Sequence, residues 1–231
     1  MSNYIIIGGS SGIGKALVSI LAGPDDRVFA TYHQNPVENH GNVSYYPFDV
    51  LKDSFPLERV PEEIHGLAYC PGSINLKPFH RFREEDFMED YKLQVLGATS
   101  VIQQLLPKLK AGGNSSIVLF STIAVQQGFH FHSQVAMSKG AIEGLARALA
   151  AELAPGIRVN AIAPSLTDTS LASRLLNTPE KARTQAERNP LKKVGEAKDI
   201  AEAASYLLTP KSSWVTGQIL HVDGGYSRIK S

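Results

Sequence analysis

Gly8-Gly9-Ser10-Ser11-Gly12-Ile13-Gly14 is the stretch that decides the fold of this chain, because of the segments on either side of it. Before it, Tyr4 to Ile7 is a short apolar run, which is typical of a buried parallel strand. After it, Lys15 to Leu21 has the spacing of a helix that stops near Gly23-Pro24. A glycine-rich turn between a strand and a helix indicates a site for the phosphates of a dinucleotide.

Three glycines of this turn have separate tasks in such a site. Gly8 allows a sharp turn, Gly12 lets a pyrophosphate approach the backbone, and Gly14 allows the helix to pack closely. The start of the helix offers free N–H groups and the positive end of a dipole to the phosphates. Ser10 and Ser11 add hydroxyl donors. A glycine-rich turn without a ligand is the alternative, and the flanking strand and helix favour the binding site.

The rest of the chain alternates strands with helices, which predicts an α/β fold with a doubly wound, Rossmann-like parallel sheet. No linker, repeat or low-complexity tract appears, so residues 1–231 are expected to form a single domain. Residues 51–64 carry two prolines and predict an irregular crossover, and the polar residues 165–190 predict a mobile flap. The other predicted elements are strands at Arg27–Tyr32, Val43–Phe48, Gly66–Tyr69, Ser116–Phe120, Arg158–Ile162 and Gln218–Val222, and helices at Glu84–Lys110, Val135–Leu153 and Asp199–Leu208.

Composition limits the kinds of partner and compartment. The chain has 231 residues, of which 43% are hydrophobic and 19% charged, as is ordinary for a globular protein. A formal net charge of +1 gives no general field for nucleic acid or an anionic membrane. Cys70 is the only cysteine, so a cysteine metal cluster is excluded and no metal site is expected. The sequence shows no signal peptide and no apolar run of membrane-spanning length, which predicts a cytoplasmic protein.

The spacing of the glycines, Gly-x3-Gly-x-Gly, resembles the opening motif of the short-chain dehydrogenase/reductase family, in which a threonine stands at the position of Ile7. The resemblance covers essentially the whole chain. Phe48-Asp49-Val50 resembles the Asp-Val that follows the third strand. Tyr69-Cys70-Pro71-Gly72 stands in the place of Asn-Asn-Ala-Gly, and Pro164 to Thr169 resembles Pro-Gly-x3-Thr with Ser165 replacing the glycine. Further matches are Arg158-Val159-Asn160, Gly195, Asp199, Thr216-Gly217-Gln218 and Asp223-Gly224-Gly225.

The resemblance implies an oxidoreductase that moves hydride between a nicotinamide coenzyme and a small carbonyl or alcohol substrate. It also implies a homo-oligomer, a dimer or a tetramer, in which residues 84–110 and 135–153 form the subunit interface. No nucleic acid or membrane partner is implied. A second interpretation is a protein with the same fold but without turnover. It would be a catalytically silent dinucleotide-binding protein that senses redox state or assembles with a partner.

The coenzyme implied by the resemblance is NAD or NADP. An acidic residue after the second strand would bind the ribose hydroxyls and repel a 2′-phosphate. Ala30 to Asn35 contain no acid, which favours NADP. Thr31 and His33 are able to accommodate the phosphate, but this segment has no arginine or lysine to hold it, and a solvated loop histidine is the alternative for His33. Asp49 is implied to bind the adenine edge, or else to make a turn. The implied coenzyme-binding residues are Gly8, Ser10, Ser11, Gly12, Ile13, Gly14, Thr31, His33, Asp49, Val50, Pro71, Gly72, Lys139, Pro164, Thr167 and Thr169.

The catalytic positions are where the chain departs from the family. There a tyrosine four residues before a lysine protonates the substrate oxygen, and the lysine binds the nicotinamide ribose and lowers the tyrosine pKa. Lys139 matches the lysine, but Val135 stands in the tyrosine's place and has no proton to transfer. Thr122 replaces the serine that holds the substrate oxygen, and Gln94 replaces the asparagine that supports a water relay. The alternative for Lys139 is an exposed helix lysine, that for Thr122 is a hydroxyl that caps a turn, and that for Gln94 is an amide on the helix surface.

Two other residues are candidates for the missing acid. His132 lies seven residues before Lys139, two helical turns away, where enoyl reductases of the same superfamily place their tyrosine. A histidine is able to donate a proton near neutral pH. The glycine motif, however, resembles that of the carbonyl reductases, and a flexible-loop histidine is the favoured alternative. Tyr69 is a second phenol near the expected path of the coenzyme.

Overall fold

One parallel sheet of seven strands forms the centre of the protein in the computed structural model, which describes residues 1–229. The sheet order is β3-β2-β1-β4-β5-β6-β9, and a separate short pair joins β7 to β8. The strands are β1 (Asn3–Ile7), β2 (Arg27–Tyr32), β3 (Val43–Pro47), β4 (Gly66–Tyr69), β5 (Ser115–Phe120), β6 (Ile157–Pro164), β7 (Thr167–Asp168), β8 (Gly195–Glu196) and β9 (Ile219–Val222).

Helices cover both faces of this sheet. The side chains of α3 and α4 pack on the face that carries Ile5 and Ile7, and those of α1 and α6 pack on the face that carries Ile6. Because β1 is buried on both faces, its sequence from Tyr4 to Ile7 is continuously apolar rather than alternating. The doubly wound single domain predicted from the sequence is confirmed. The helices are α1 (Gly12–Leu21), α2 (Glu84–Tyr91), α3 (Gly97–Ala111), α4 (Ser133–Leu153), α5 (Pro179–Glu187) and α6 (Ala197–Leu208).

The uninterrupted α-helix predicted over residues 84–110 is wrong in its middle. Lys92–Leu96 form a π-helical turn between α2 and α3. The hydroxyl of Tyr69 donates to the carbonyl of Leu93 at 2.6 Å, which gives that carbonyl a partner outside the helix. Gly97 lets the phenol approach, since a Cβ there would overlap the Tyr69 hydroxyl. The turn carries Gln94 into the interior of the protein.

Other boundaries differ by a few residues. α1 begins at Gly12 instead of Lys15, so the second half of the glycine turn is the first turn of the helix. α4 begins at Ser133, directly after His132. The crossover of residues 51–64 holds one short 3₁₀ turn at Leu57–Arg59, in agreement with its irregular prediction. Residues 165–190 contain β7, a 3₁₀ segment and α5, and their mobility stays a prediction.

The position of β1 locates the site. The chain builds β2 and β3 on one side of β1, and β4, β5, β6 and β9 on the other. In open α/β sheets, ligands bind at this change of direction, in the crevice beyond the carboxyl ends of the strands. Both the glycine turn after β1 and the loop at Cys70–Gly72 after β4 lie at this edge.

Candidate functional site

Two adjoining cavities lie at the carboxyl edge of the sheet. One, here called the turn cavity, has a volume of about 470 Å³ and is lined by the glycine turn and the ends of β2 and β3. The other, the lysine cavity, has a volume of about 350 Å³ and is lined by Lys139. They form one cleft, because they share the side chains or backbone of Ile13, Cys70, Gly72, Thr169 and Leu171.

The glycine turn is pulled tightly against β2. Gly8 has φ of +77°, a conformation that favours glycine, and its N–H donates to Thr31 Oγ1 at 3.0 Å. The N–H of Gly9 donates to the Thr31 carbonyl at 2.8 Å. A Cβ on Gly14 would overlap the carbonyl oxygen of Gly8, so the helix packs on the turn at backbone distance. Thr31, expected near a phosphate, is buried and braces the turn through its hydroxyl.

The start of α1 is open towards the turn cavity. Ser11 is the N-cap residue, but its side chain does not cap the helix, and the first turn holds no acidic residue. The N–H groups of Gly12, Ile13 and Gly14 lie in the first turn, where no intrahelical acceptor is available to them. Ser10 lines the same cavity. This arrangement of free amides and hydroxyls fits an anion such as a pyrophosphate.

The far end of the turn cavity holds Asp49 and Val50. The N–H of Leu51 donates to Asp49 Oδ1 at 3.0 Å, and this bond lowers the pKa of the Asp49 carboxyl. His33 lies beside it, with Nε2 3.5 Å from Asp49 Oδ2, and Lys52 Nζ lies 3.3 Å from the same oxygen. Within residues 1–229, no arginine or lysine lines this cavity.

Lys139 lies in the wall of the lysine cavity, half-buried. Burial lowers the pKa of Lys139 to about 8, and the nearby charge of Asp90 opposes that fall. Burial also raises the pKa of the Cys70 thiol to about 12, so the thiol is neutral at physiological pH. Across the described part of the chain, Nζ of Lys139 makes no hydrogen bond and no ion pair. Val135 is buried one helical turn before Lys139 and lines the same cavity. The exposed surface lysine considered above is therefore wrong.

Gln94 faces Lys139 from the π-helical turn. It is 1% exposed, so the surface amide considered above is wrong. Its Nε2 donates to Asp90 Oδ1 at 2.7 Å, while its Oε1 has no hydrogen-bond partner among residues 1–229. A Cβ on Gly72 would lie 3.3 Å from Gln94 Oε1 and 3.7 Å from Lys139 Nζ. The amide oxygen and the ammonium therefore approach the same point.

Thr122 and His132 also line the lysine cavity. The hydroxyl of Thr122 accepts from the N–H of Ala124 at 3.3 Å, so it caps the following turn and still has a proton to donate into the cavity. His132 Nδ1 lies 2.8 Å from the carbonyl of His130. Because only a protonated nitrogen pairs with a carbonyl, Nδ1 carries a proton and Nε2 is available to the cavity.

Tyr69, the second phenol considered from the sequence, does not reach either cavity. Its ring is buried in the core, burial raises its pKa, and its proton is held by the Leu93 carbonyl. Tyr69 therefore has a structural role in the π-helical turn, and its assignment as a substitute acid is wrong.

The remaining wall of the lysine cavity is largely apolar. Arg188, directly after α5, and Lys139 are the arginine and the lysine that line it, and no carboxylate of residues 1–229 lines it. Of the remaining predicted residues, Pro164, Thr167 and Thr169 line this cavity, whereas Pro71 lines the turn cavity. The apolar lining includes Ile74, Leu76, Phe120, Ile123, Phe129, Leu171, Leu175, Val194 and Tyr226.

Sequence reasoning missed several polar residues in and behind the cleft, among them Ser73 and Arg188 in its lining and Asp90 behind Gln94. Asp90 lies four residues before Gln94, a helical spacing that places two side chains on one face. That spacing was the available signal. The contributions of Ser73 and Arg188 depend on how distant segments fold together, and no local pattern indicates them. No group of three or more potential metal ligands occurs within residues 1–229.

A parallel sheet with a glycine turn and an open helix start at its switch point defines a dinucleotide-binding α/β protein. A family model described as enoyl-(acyl carrier protein) reductase matches residues 8–227. A tropinone reductase homologue of Arabidopsis thaliana is 39% identical, with 96% of this chain and 92% of the relative covered. The chain belongs to the short-chain dehydrogenase/reductase family.

Solved structures of the family have the same architecture. A short chain dehydrogenase family protein of Francisella tularensis is 27% identical and has a TM-score of 0.89, with 99% of this chain and 100% of that chain covered. A structure described as ElxO with NADP bound has a TM-score of 0.84 at 23% identity, with 97% of this chain and 98% of that chain covered. At that identity, the likeness to ElxO shows the fold alone.

Proposed function

We propose that this protein is an NADP- or NAD-dependent oxidoreductase that moves hydride between the nicotinamide and a carbonyl or alcohol carbon. The observation that carries this proposal is the Lys139 ammonium, unpaired within residues 1–229 and next to a cavity with an open helix start. The direct test follows the absorbance of NADPH and NADH with a panel of ketones and aldehydes. Coenzyme binding without turnover on any carbonyl or alcohol would instead support the silent dinucleotide-binding protein.

The residues of the turn cavity are proposed to hold the coenzyme. The amides of Gly12 to Gly14, with Ser10 and Ser11, would bind the pyrophosphate, and Asp49 and Val50 would contact the adenine. NADP is favoured because the end of β2 carries no acid to repel a 2′-phosphate, and His33 lies nearby. The fold holds NADP in ElxO. Beyond the turn cavity, Pro71, Gly72, Pro164, Thr167 and Thr169 would contact the nicotinamide half.

The bound coenzyme supplies the hydride, and the chain orients the reactants and handles the proton. Lys139 is proposed to bind a ribose hydroxyl through its unpaired ammonium. Thr122 would donate its hydroxyl proton in a hydrogen bond to the substrate oxygen. His132 is the candidate proton donor through Nε2, which requires the doubly protonated ring because Nδ1 is engaged with a carbonyl. The apolar wall excludes water from the reacting carbon.

Val135→Tyr is expected to increase turnover, because it places a phenol one helical turn before Lys139. A positioned general acid contributes roughly 10²–10⁴-fold, and a gain in kcat of about tenfold would already identify the effect. Steady-state assays with NADPH measure it. Val135→Phe is the matched control, since it adds the ring without the hydroxyl. His132→Ala should lower wild-type turnover and leave Val135→Tyr unaffected. Equal rates for Val135→Tyr and Val135→Phe would contradict the proposed position of the acid.

The charge of the lysine cavity indicates the substrate class. Its wall is largely apolar, its charged side chains are Lys139 and Arg188, and the Arg188 guanidinium makes no hydrogen bond or ion pair within the described residues. A cationic substrate would meet only like charge there. We therefore infer an apolar carbonyl or alcohol compound that is neutral or carries a negative group near Arg188.

Arg188→Gln tests this substrate class. We expect KM for a ketone with a carboxylate tail to rise roughly fivefold, the upper range for a partly exposed ion pair. The KM of the matching methyl ester should not change. Arg183→Gln is the control, because Arg183 belongs to the same helix but pairs with Glu187 at 3.0 Å outside the cavity. A wild-type enzyme that prefers amine-bearing ketones would refute the inference.

The surroundings of the site support two further proposals. Residues 165–190 are proposed to act as a flap, since Leu171, Leu175 and Arg188 contribute to the wall of the lysine cavity. A homo-oligomer, a dimer or a tetramer, is proposed to form through α2, α3 and α4. Large apolar side chains on this surface are exposed, namely Met88, Leu96 and Met137. A helix with the length and apolar content needed to cross a bilayer does not occur in residues 1–229. The cytoplasmic location stays a prediction.

A further inference from the structure

Asp90 is a buried carboxylate that has no role in the proposed reaction as described above. It lies near the end of α2, is 4% exposed, and is located behind Gln94 as seen from the lysine cavity. Its Oδ1 accepts from Gln94 Nε2 and from the hydroxyl of Ser73. Its Oδ2 has no partner among the residues that the structure describes. Burying a carboxylate is costly unless a positive group or several donors compensate it, so the position needs an explanation.

The first effect of Asp90 is to orient an amide. A carboxylate accepts hydrogen bonds and donates none, so it pairs with the NH₂ end of Gln94. The oxygen end of the amide must then face the opposite direction, where Gly72 leaves space and Lys139 Nζ approaches. With the amide reversed, two acceptors would meet inside the protein. Asp90 thereby leaves Gln94 Oε1, an acceptor without a partner among residues 1–229, on the side where Lys139 Nζ lies.

The second effect of Asp90 is electrostatic. Burial disfavours the ammonium form of Lys139, and the negative charge of Asp90 counteracts this. The other titratable group that faces Lys139 is the Cys70 thiol, which burial keeps neutral at physiological pH. On α4 itself, Glu143 accepts from Ser121 at 2.8 Å and lies 3.7 Å from Arg147. Asp90 is therefore the carboxylate that acts on the lysine.

We propose that Asp90 is a positioning residue for Lys139: its carboxylate fixes the Gln94 amide with the oxygen towards the lysine and supplies the charge that keeps the lysine protonated. This inference rests on the proposed function, in which Lys139 acts as a cation on the coenzyme ribose. It extends the site to a carboxylate that contacts neither coenzyme nor substrate. In a purely structural role, Asp90 would only join α2 to Ser73, and its charge would not affect the titration of Lys139.

The test measures the titration of Lys139 itself. Competitive acetylation at pH 6–10, followed by mass spectrometry of the Lys139 peptide, gives the pH at which that lysine loses its proton. In Asp90→Asn this pH should fall by about one unit or more, because a negative neighbour has been removed. Asp90→Glu should restore most of the wild-type value. Glu89→Gln, an exposed change on the same helix, is the control. An unchanged titration in Asp90→Asn overturns the proposal.

A second variant keeps the proposal testable if Asp90→Asn does not fold. Gln94→Leu removes the oriented acceptor and leaves the carboxylate, and it too should lower the pH at which Lys139 deprotonates. No change in that variant also overturns the proposal. The affinity for NADPH, measured by fluorescence over the same pH range, should decline as the pH rises. This decline should begin at a lower pH in both variants than in the wild type. If the wild type binds no coenzyme, the proposed function fails, whereas the acetylation profile still decides the role of Asp90.

Discussion

Gly14→Ala is expected to abolish coenzyme binding, with a dissociation constant at least roughly 100-fold weaker, or about 2.7 kcal/mol. The added methyl group would overlap the carbonyl oxygen of Gly8, so α1 must move away from the turn. The amides at the start of α1 would then lose their common direction towards the phosphates. Titration calorimetry with NADPH and NADH measures the loss.

The control for this substitution lies elsewhere in the chain. Gly144 is an exposed glycine of α4, and a Cβ there meets no other group within 4 Å. Gly144→Ala should bind coenzyme as the wild type does and should be slightly more stable, by up to about 1 kcal/mol. Circular dichroism establishes that both variants are folded. Wild-type affinity in a folded Gly14→Ala would refute the placement of the pyrophosphate.

Lys139→Met should eliminate turnover, with a fall in kcat/KM of roughly 10³-fold or more, comparable to the loss of a general acid. The substitution removes a charge and keeps an unbranched side chain in the half-buried position, so the melting temperature should not fall. Lys139→Arg retains the charge and should keep part of the coenzyme affinity. Stopped-flow and steady-state assays with NADPH and a reactive ketone measure the effect. Retention of full activity by Lys139→Met would exclude the proposed site.

The same lysine predicts how wild-type activity depends on pH. Its pKa is lowered to about 8 by burial, so the ammonium form dominates below that pH and is lost above it. Coenzyme affinity should therefore be retained on the acidic side and decline as pH rises through about 8. Lys139→Arg should not show this decline, because its guanidinium stays charged.

The parts of the fold that depend on local pattern were predictable from the sequence. The strand, glycine turn and helix at residues 4–21 combine a continuous apolar run with a helical period, and both signals are short in range. The parallel, doubly wound class of the sheet follows from the alternation of strands and helices along the chain. Starts of helices were predicted late at Gly12 and Ser133, because glycine and serine are weak helix formers that packing holds in place.

The polar network beside Lys139 could not be predicted, because its members come from separate segments. Ser73 follows β4, Asp90 lies near the end of α2, and Gln94 lies in a turn that accepts a hydrogen bond from the Tyr69 hydroxyl. The i, i+4 spacing of Asp90 and Gln94 is a local signal that places those two side chains on one face, but it indicates neither Ser73 nor the π-helical turn.

The π-helical turn at Lys92–Leu96 has a consequence for anyone who redesigns this helix. One additional residue in a helix rotates everything that follows by about 100° around the axis. The side chains of α3 are therefore rotated about the helix axis relative to those of α2, compared with a continuous α-helix. Each helix packs correctly only with this rotation in place. Deleting one residue there would restore a regular α-helix, but it would also turn the Gln94 amide away from the Lys139 ammonium. A more regular backbone would therefore cost the arrangement on which the proposed reaction depends.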